Sequence, residues 1–319
     1  MTWLIKNIFS NRKIATGIIF VIIFGSASIW IDVTINDWFR DFYDALFKKS
    51  YIGLGDLIFK FTILALFQIV IQTISSYISD IIESLLRNSL TIKLFNLANQ
   101  FKIDFDKSVK YSDQRISEDV EIFSNKFVFI FINFFINFLK AIVFSLILVK
   151  MSPPIILANT SFHGSLAIIA LLYFTIPTYI TYKLGLRLAK IEDKKRRFEA
   201  QLRYNLINLN KEKNIFFKNR IFKNIGIITF IQNISAKLHA IIFGTSTAFN
   251  LYSMILPLII LVPYYLDGSY EFGELVKAAA AFNILQSCLT YLFNFYRDVV
   301  KCFAASSRIY NFVLQLEGK

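Results

Sequence analysis

The 319-residue sequence predicts an all-α membrane protein with six transmembrane helices, extended on one side of the bilayer by long helical hairpins. Three observations carry that prediction. The composition is 55% hydrophobic and 17% aromatic, with a mean hydropathy of +0.53, far more apolar than a soluble chain of this length. Six separate stretches are long and apolar enough to cross a hydrocarbon core of about 30 Å as helices, the form in which a chain satisfies its own backbone in lipid. The formal charge of +13 is distributed by position, the cations falling in alternate connections.

In chain order the spans are 14–31, 57–79, 127–149, 165–182, 238–262 and 275–293. The first follows Asn11-Arg12-Lys13 and is too long for the apolar core of a leader peptide. Trp30 and Asp32 mark its expected interfacial end, so it is expected to be retained. The second and sixth are the most polar. Of the 35 Lys and Arg, 28 fall in residues 1–13, 80–126, 183–237 and 294–319, and 4 in residues 32–56, 150–164 and 263–274. The positive-inside rule therefore predicts both termini in the cytoplasm. This topology accounts for the basic charge without nucleic acid as a partner, leaving membrane lipid as the surface the cations meet. The cytoplasmic connections 80–126 and 183–237 keep helical periodicity, for example Phe198, Leu202, Leu206 and Leu209, and read as hairpins extending their flanking spans.

Catalytic chemistry finds no footing. The two cysteines, Cys288 and Cys302, and the two histidines, His163 and His239, are dispersed, so no metal site and no nucleophile–base pair is expected, nor any cofactor. None of the eleven glycines sits in a Gly-x4-Gly-Lys-Ser/Thr loop, the backbone cradle that holds nucleotide phosphates, so no ATPase is expected within this sequence.

Six spans with two long hairpins on one side is the plan of an ABC-exporter-type transmembrane domain, here a single domain over 1–319. Several segments make the likeness specific. They are Asn36-Asp37-Trp38-Phe39-Arg40-Asp41-Phe42-Tyr43-Asp44-Ala45-Leu46, then Asp113-Gln114-Arg115-Ile116-Ser117-Glu118-Asp119, then Glu199-Ala200-Gln201-Leu202-Arg203. Further on come Pro263-Tyr264-Tyr265-Leu266-Asp267-Gly268, Phe272-Gly273-Glu274-Leu275 and Ala304-Ala305-Ser306-Ser307-Arg308-Ile309-Tyr310-Asn311-Phe312. Collinear over nearly the whole chain, they resemble the SbmA/BacA family of peptide transporters, close to the transmembrane domain of YddA-like ABC half-transporters. The resemblance implies a homodimer in a bacterial inner membrane, importing peptides or other bulky solutes by alternating access and driven by protons. Two other readings stay open: a permease served by a separate ATP-binding subunit, and a non-transporting remnant of a longer ABC gene.

The candidate working residues follow from motif and pattern together. Arg115, Glu118 and Asp119 lie in the first cytoplasmic connection, where Asp113 can cap a helix start, and Arg115 and Asp119 have the i, i+4 spacing of an ion pair. Glu199 and Arg203 share that spacing with the acid first, the better order on a helix; the resemblance implies a coupling role for Glu199. Asn205, Asn208 and Asn210 stand where the family places further acids. Arg40, Asp41 and Asp44 beside Trp38 and Tyr43 fit either an interfacial belt or an external gate. Lys60 and Lys140 lie near span ends, from which they are expected to snorkel. Three spans each carry one amide pair at i, i+3 or i, i+4: Gln68 and Gln72, Asn133 and Asn137, Asn283 and Gln286. These stripes suit interhelical hydrogen bonds or the lining of a hydrophilic cavity.

Overall fold

A computed structural model of the chain describes residues 11–49, 53–100, 115–153, 155–157, 160–162, 164–207 and 215–316. These form α1 (Arg12–Phe47), α2 (Leu54–Gln100), a π-helical turn (Arg115–Asp119), α3 (Val120–Lys150), strands β1 (Ile155–Leu157) and β2 (Thr160–Phe162), α4 (Ser165–Ile207), α5 (Ile215–Leu266), α6 (Phe272–Asn294) and α7 (Tyr296–Leu316). Contacts divide the chain into two compact units, Met1–Ala167 with Pro257–Lys319, and Ile168–Leu256.

Each expected span lies inside its own helix, and the helices run far past the apolar windows. α2 has 47 residues, about 70 Å at ~1.5 Å per residue, so residues 80–100 of the expected first hairpin are helix. α4 and α5 likewise extend to Ile207 and back to Ile215, with Pro177 and Pro257 inside unbroken helices. Two features bear on the expected spans and connections. Among the described residues five helices, α1 to α5, are long and apolar enough to cross a membrane, and α6 is not one of them. The short connection 150–164 pairs β1 with β2 antiparallel, Ile156 opposite Ser161.

The first unit is built on a stripe of α2, where Ile82, Leu86, Leu90 and Leu94 recur every four residues and are at most 1% exposed. Ile14, Ile18 and Val21 of α1 pack on it, with Val120, Phe123, Val128 and Ile132 of α3 and Ala305, Ile309, Phe312 and Val313 of α7. Large apolar side chains elsewhere face outward: Phe20, Trp30, Phe59, Phe67 and Ile69 are all more than half exposed, as lipid contact requires. α6 explains its own polarity. It buries Leu275, Ala278, Ala281, Phe282, Leu285 and Cys288 and packs on α1 and α3, so the run of alanines serves close helix approach rather than contact with lipid.

Local signals fix the ends. Asn11 accepts from the Lys13 N–H at 3.1 Å and caps α1. At the α5–α6 turn Gly268 has φ +76°, while the N–H groups of Gly268 and Ser269 return to the carbonyls of Tyr265 and Tyr264, a Schellman ending that needs a residue free to enter the left-handed region. Tyr270 donates its hydroxyl to the Met151 carbonyl at 2.9 Å, tying that turn to the end of α3. Ser152 accepts from the Leu166 N–H at 3.1 Å, capping α4 from a distance.

The second unit is the greater part of α4 and α5. Tyr173 donates to the Phe249 carbonyl at 2.7 Å with the two rings 5.3 Å apart, and His239 Nε2 lies 3.6 Å from Glu192 Oε1.

Candidate functional site: a polar cleft between two ionic clamps

The first clamp joins the C-terminal third of α1 to the start of α6. Asp44 accepts from the Gly273 N–H at 2.6 Å, so a carboxyl of one helix caps the free donors at the N-terminus of another. Glu274 accepts from the Glu271 N–H at 3.2 Å and satisfies a second donor of the same end. Asn36, 1% exposed, donates to the Lys277 carbonyl at 3.0 Å, and Lys277 Nζ lies 2.6 Å from Asp37. Trp38 donates to the Leu57 carbonyl at 2.7 Å and stacks on Phe42 and Phe61, which holds the start of α2 against the same stretch. Burial raises the Asp44 carboxyl above its ordinary value against the opposing Gly273 hydrogen bond, with Glu271 adding to the rise. Lys48, 3.2 Å from Glu271, holds that carboxyl low. Arg40 pairs with its neighbour Asp41 at 3.0 Å rather than reaching across the clamp. Two of the resembling segments, 36–46 and 272–275, thus meet face to face.

The second clamp closes the opposite end of the same unit. Arg308 of α7 donates through Nε and Nη2 to Asp119 Oδ1 at 2.9 and 2.7 Å, and the Asp119 side chain is only 3% exposed. That bond raises the guanidinium's basicity. Lys126–Asp298 at 2.9 Å and Arg87–Glu121 at 2.8 Å flank it. Here too two resembling segments meet, through Asp119 of one and Arg308 of the other. Glu118 is exposed. Residues 112–114 and the side chain of Arg115 lie outside the described residues, and with them the expected Arg115–Asp119 pair.

Between the clamps α1, α2 and α3 enclose a cleft of about 480 Å³. Ser28, Gln72, Ser76, Asn133, Asn137 and Lys140 are among its lining residues, with Asp80 and Glu83 toward the second clamp. Lys140 does not snorkel, as the sequence led one to expect. Its Nζ lies 2.6 Å from Asp32 Oδ2, both side chains being largely buried, and Asp32 is no loop residue because α1 continues to Phe47. Gln68 donates to Ser28 Oγ at 2.9 Å and to Asp32 Oδ1 at 3.2 Å. At the far end Glu83 accepts from Asn125 with both oxygens at 3.1 Å. Asn133 and Asn137 donate to the carbonyls one turn back, which turns their amide oxygens into the available acceptors.

Two of the three amide stripes therefore meet around one space, Gln68 bracing the ion pair beside it. The third does not: neither Asn283 nor Gln286 lines the cleft, and Gln286 is 3% exposed within the packing of α6. Glu199 and Arg203 lie in the second unit, where Glu199 is 3.6 Å from Lys195 one turn earlier instead of pairing with Arg203. The residues missed from sequence are Asp32, Lys140, Gly273 and Arg308. An unexplained lysine inside an apolar span was the one available signal among them.

Among the described residues five helices are long and apolar enough to cross a membrane, and three of them, α1, α2 and α3, pack around a charged and amide-lined space, the features of a multi-pass membrane protein of the transporter kind. The chain belongs to the SbmA/BacA-like family, which matches residues 11–317. It is 24% identical to the inner membrane ABC transporter ATP-binding protein YddA of Escherichia coli K12, over 97% of this chain and 58% of that protein. It is 25% identical to an uncharacterized ABC transporter ATP-binding protein of Synechocystis, over 65% of this chain and 31% of the relative. A similarly described protein of Haemophilus influenzae is 22% identical over 72% of this chain and 40% of its own length. The chain thus spans less than two thirds of each of these relatives.

Proposed function

We propose that the chain is a homodimeric inner-membrane transporter with six crossings and both termini in the cytoplasm, importing peptides or similarly bulky solutes by alternating access at the expense of a proton gradient. The observation that carries the transport reading is the cleft with its Asp32–Lys140 pair. Ionisable groups at membrane depth are costly to keep, and they line solute or ion paths far more often than they serve packing. The interhelical clamps at either end supply rigid joints about which α1, α2 and α3 can rearrange, and the distribution of 28 cations supports the orientation. Arg40, Asp41 and Asp44 belong in this reading to the outer gate, and Arg115, Glu118 and Asp119 to the inner coupling turn. Glu199 and Arg203 belong to the arm that relays the proton. α6 makes the sixth crossing inside the bundle, where its polar groups are screened from lipid by α1 and α3.

A second reading has its own support. The three relatives above are named as ABC transporter ATP-binding proteins, which favours a permease energised by an ATPase. Peptide uptake by the purified chain in proteoliposomes separates the two. Accumulation driven by an inward proton gradient without ATP supports the first. Uptake strictly dependent on ATP and an added ATP-binding partner supports the second.

A further inference from the structure

The cleft is not uniformly polar. One end carries the Lys140 ammonium, the other the carboxylates of Asp80 and Glu83, and between them stand only uncharged groups such as Gln72, Ser76, Asn133 and Asn137. Asp32 Oδ2 lies 2.6 Å from the ammonium and balances its charge, while Lys140 itself remains on the cleft wall. Glu83 is already oriented by Asn125, with Asp80 one turn before it on α2. The two charged ends are separated by the fifteen residues from Asn125 to Lys140 on α3, about 22 Å at ~1.5 Å per residue.

Positive at one end, negative at the other and hydrogen-bonding along its length, such a groove is the complement of a zwitterion with an amide backbone. An extended peptide rises about 3.3 Å per residue, so roughly six residues bring its two charged ends to the two ends of the groove. The amide oxygens of Asn133 and Asn137 face its N–H groups as acceptors, and the serine hydroxyls can both donate and accept. The volume of about 480 Å³ is in the range of sites that enclose most of a small ligand. A bulk solute without charged ends gains nothing from this polarity, because each buried charge it fails to meet stays bound to its resident partner.

Resting on the peptide reading above, we infer that the α1–α2–α3 cleft binds short peptides by both free ends, Lys140 taking the C-terminal carboxylate and Asp80 with Glu83 the N-terminal ammonium, with chains of about six residues favoured. Arrival of the peptide carboxylate gives Lys140 a second anion, loosening its hold on Asp32 and hence that of α3 on α1.

The test is equilibrium binding to the purified full chain in lipid nanodiscs. The probes are a six-residue Ala/Ser peptide with free ends, its C-terminal amide, its N-acetyl form and a three-residue peptide with free ends. Amidation, acetylation and shortening are each expected to weaken binding at least tenfold. In the Asp32→Asn/Lys140→Gln double variant, which keeps shape and leaves no lone charge, the acid and the amide should bind alike while acetylation still weakens binding. In Asp80→Asn/Glu83→Gln the pattern should reverse. The retained selectivity for the other end shows that each variant is folded. Wild-type protein that binds acid and amide equally, or a double variant that still separates them, overturns the inference and leaves the peptide reading standing. Failure of all four peptides to bind wild-type protein overturns both.

Discussion

Gly273 is the position at which the clamp between α1 and α6 is most exposed to test. A Cβ built there falls inside van der Waals contact of the Arg40 carbonyl and 2.6 Å from Asp44 Oδ1, where ordinary contact begins at 3.4 Å. In Gly273→Ala either α6 shifts away from α1 or the Asp44 side chain swings out and loses its hydrogen bond to the Gly273 N–H. Overpacking of this sort costs about 1–3 kcal/mol, and a hydrogen bond to a charged group about 1.5–3 kcal/mol. The two losses overlap, giving roughly 2–5 kcal/mol. At ~2.1 cal/mol/K per residue a chain of this size loses about 1.5 °C for each kcal/mol, so a fall in Tm of roughly 5 °C is expected in detergent by intrinsic fluorescence. Asp44→Ala loses the bond without introducing the backbone clash, and should fall less. Gly185, inside α4, has nothing within 4 Å of its Cβ position, so Gly185→Ala should match or exceed wild type through helix propensity alone, by up to about 1 kcal/mol. If Gly273→Ala melts with Gly185→Ala, the close approach of α6 to α1 is not as described.

At the other clamp, Arg308→Ala removes two hydrogen bonds and the facing charge from the buried Asp119 carboxylate and should cost about 3 kcal/mol, with Arg308→Lys intermediate because one ammonium cannot reproduce both guanidinium bonds; thermal melts of the two variants check the order. The Asp44 carboxyl is raised in the folded state, so it favours the fold below its ordinary pKa and loses that contribution as pH rises through the folded value. The Tm of wild type minus that of Asp44→Asn should therefore fall as the pH rises above the ordinary carboxyl pKa, and a rise contradicts the assignment. Burial pushes the Cys302 thiol up to about 11, so its alkylation by a small maleimide should be slow at pH 7.5 and accelerate about tenfold per pH unit toward pH 10.

What could be read from sequence were the properties a single helix displays by itself. Hydropathy located the spans, because lipid-facing residues such as Phe20, Phe59 and Phe67 must be apolar wherever the helix packs. The same criterion also placed a span on α6, whose surroundings are α1 and α3 rather than lipid and which is accordingly more polar. Pairings between distant residues were beyond it. Asp44 with Gly273, Asp32 with Lys140 and Asp119 with Arg308 are 229, 108 and 189 residues apart, and each was assigned a local role or none. The i, i+4 rule proposed Arg203 for Glu199 and structure gave Lys195, an equally spaced residue on the other side. A carboxylate and its helical neighbours cannot declare which partner wins, since the difference depends on where each long side chain finds solvent. The amide stripes were legible as stripes, but only the arrangement of α2 against α3 decides that two of them share a space and the third is packed away.

The central claim is that the cleft between α1, α2 and α3 is an aqueous solute path within the membrane. In protein with Cys288 and Cys302 replaced, single cysteines at Asn137 on the cleft wall and at Phe67 on the lipid face of α2 are compared for labelling by a charged, membrane-impermeant thiol reagent in proteoliposomes. The account predicts that Asn137→Cys is labelled, that an excess of the six-residue peptide slows its labelling, and that Phe67→Cys stays unlabelled. An Asn137→Cys protein as unreactive as Phe67→Cys would contradict it.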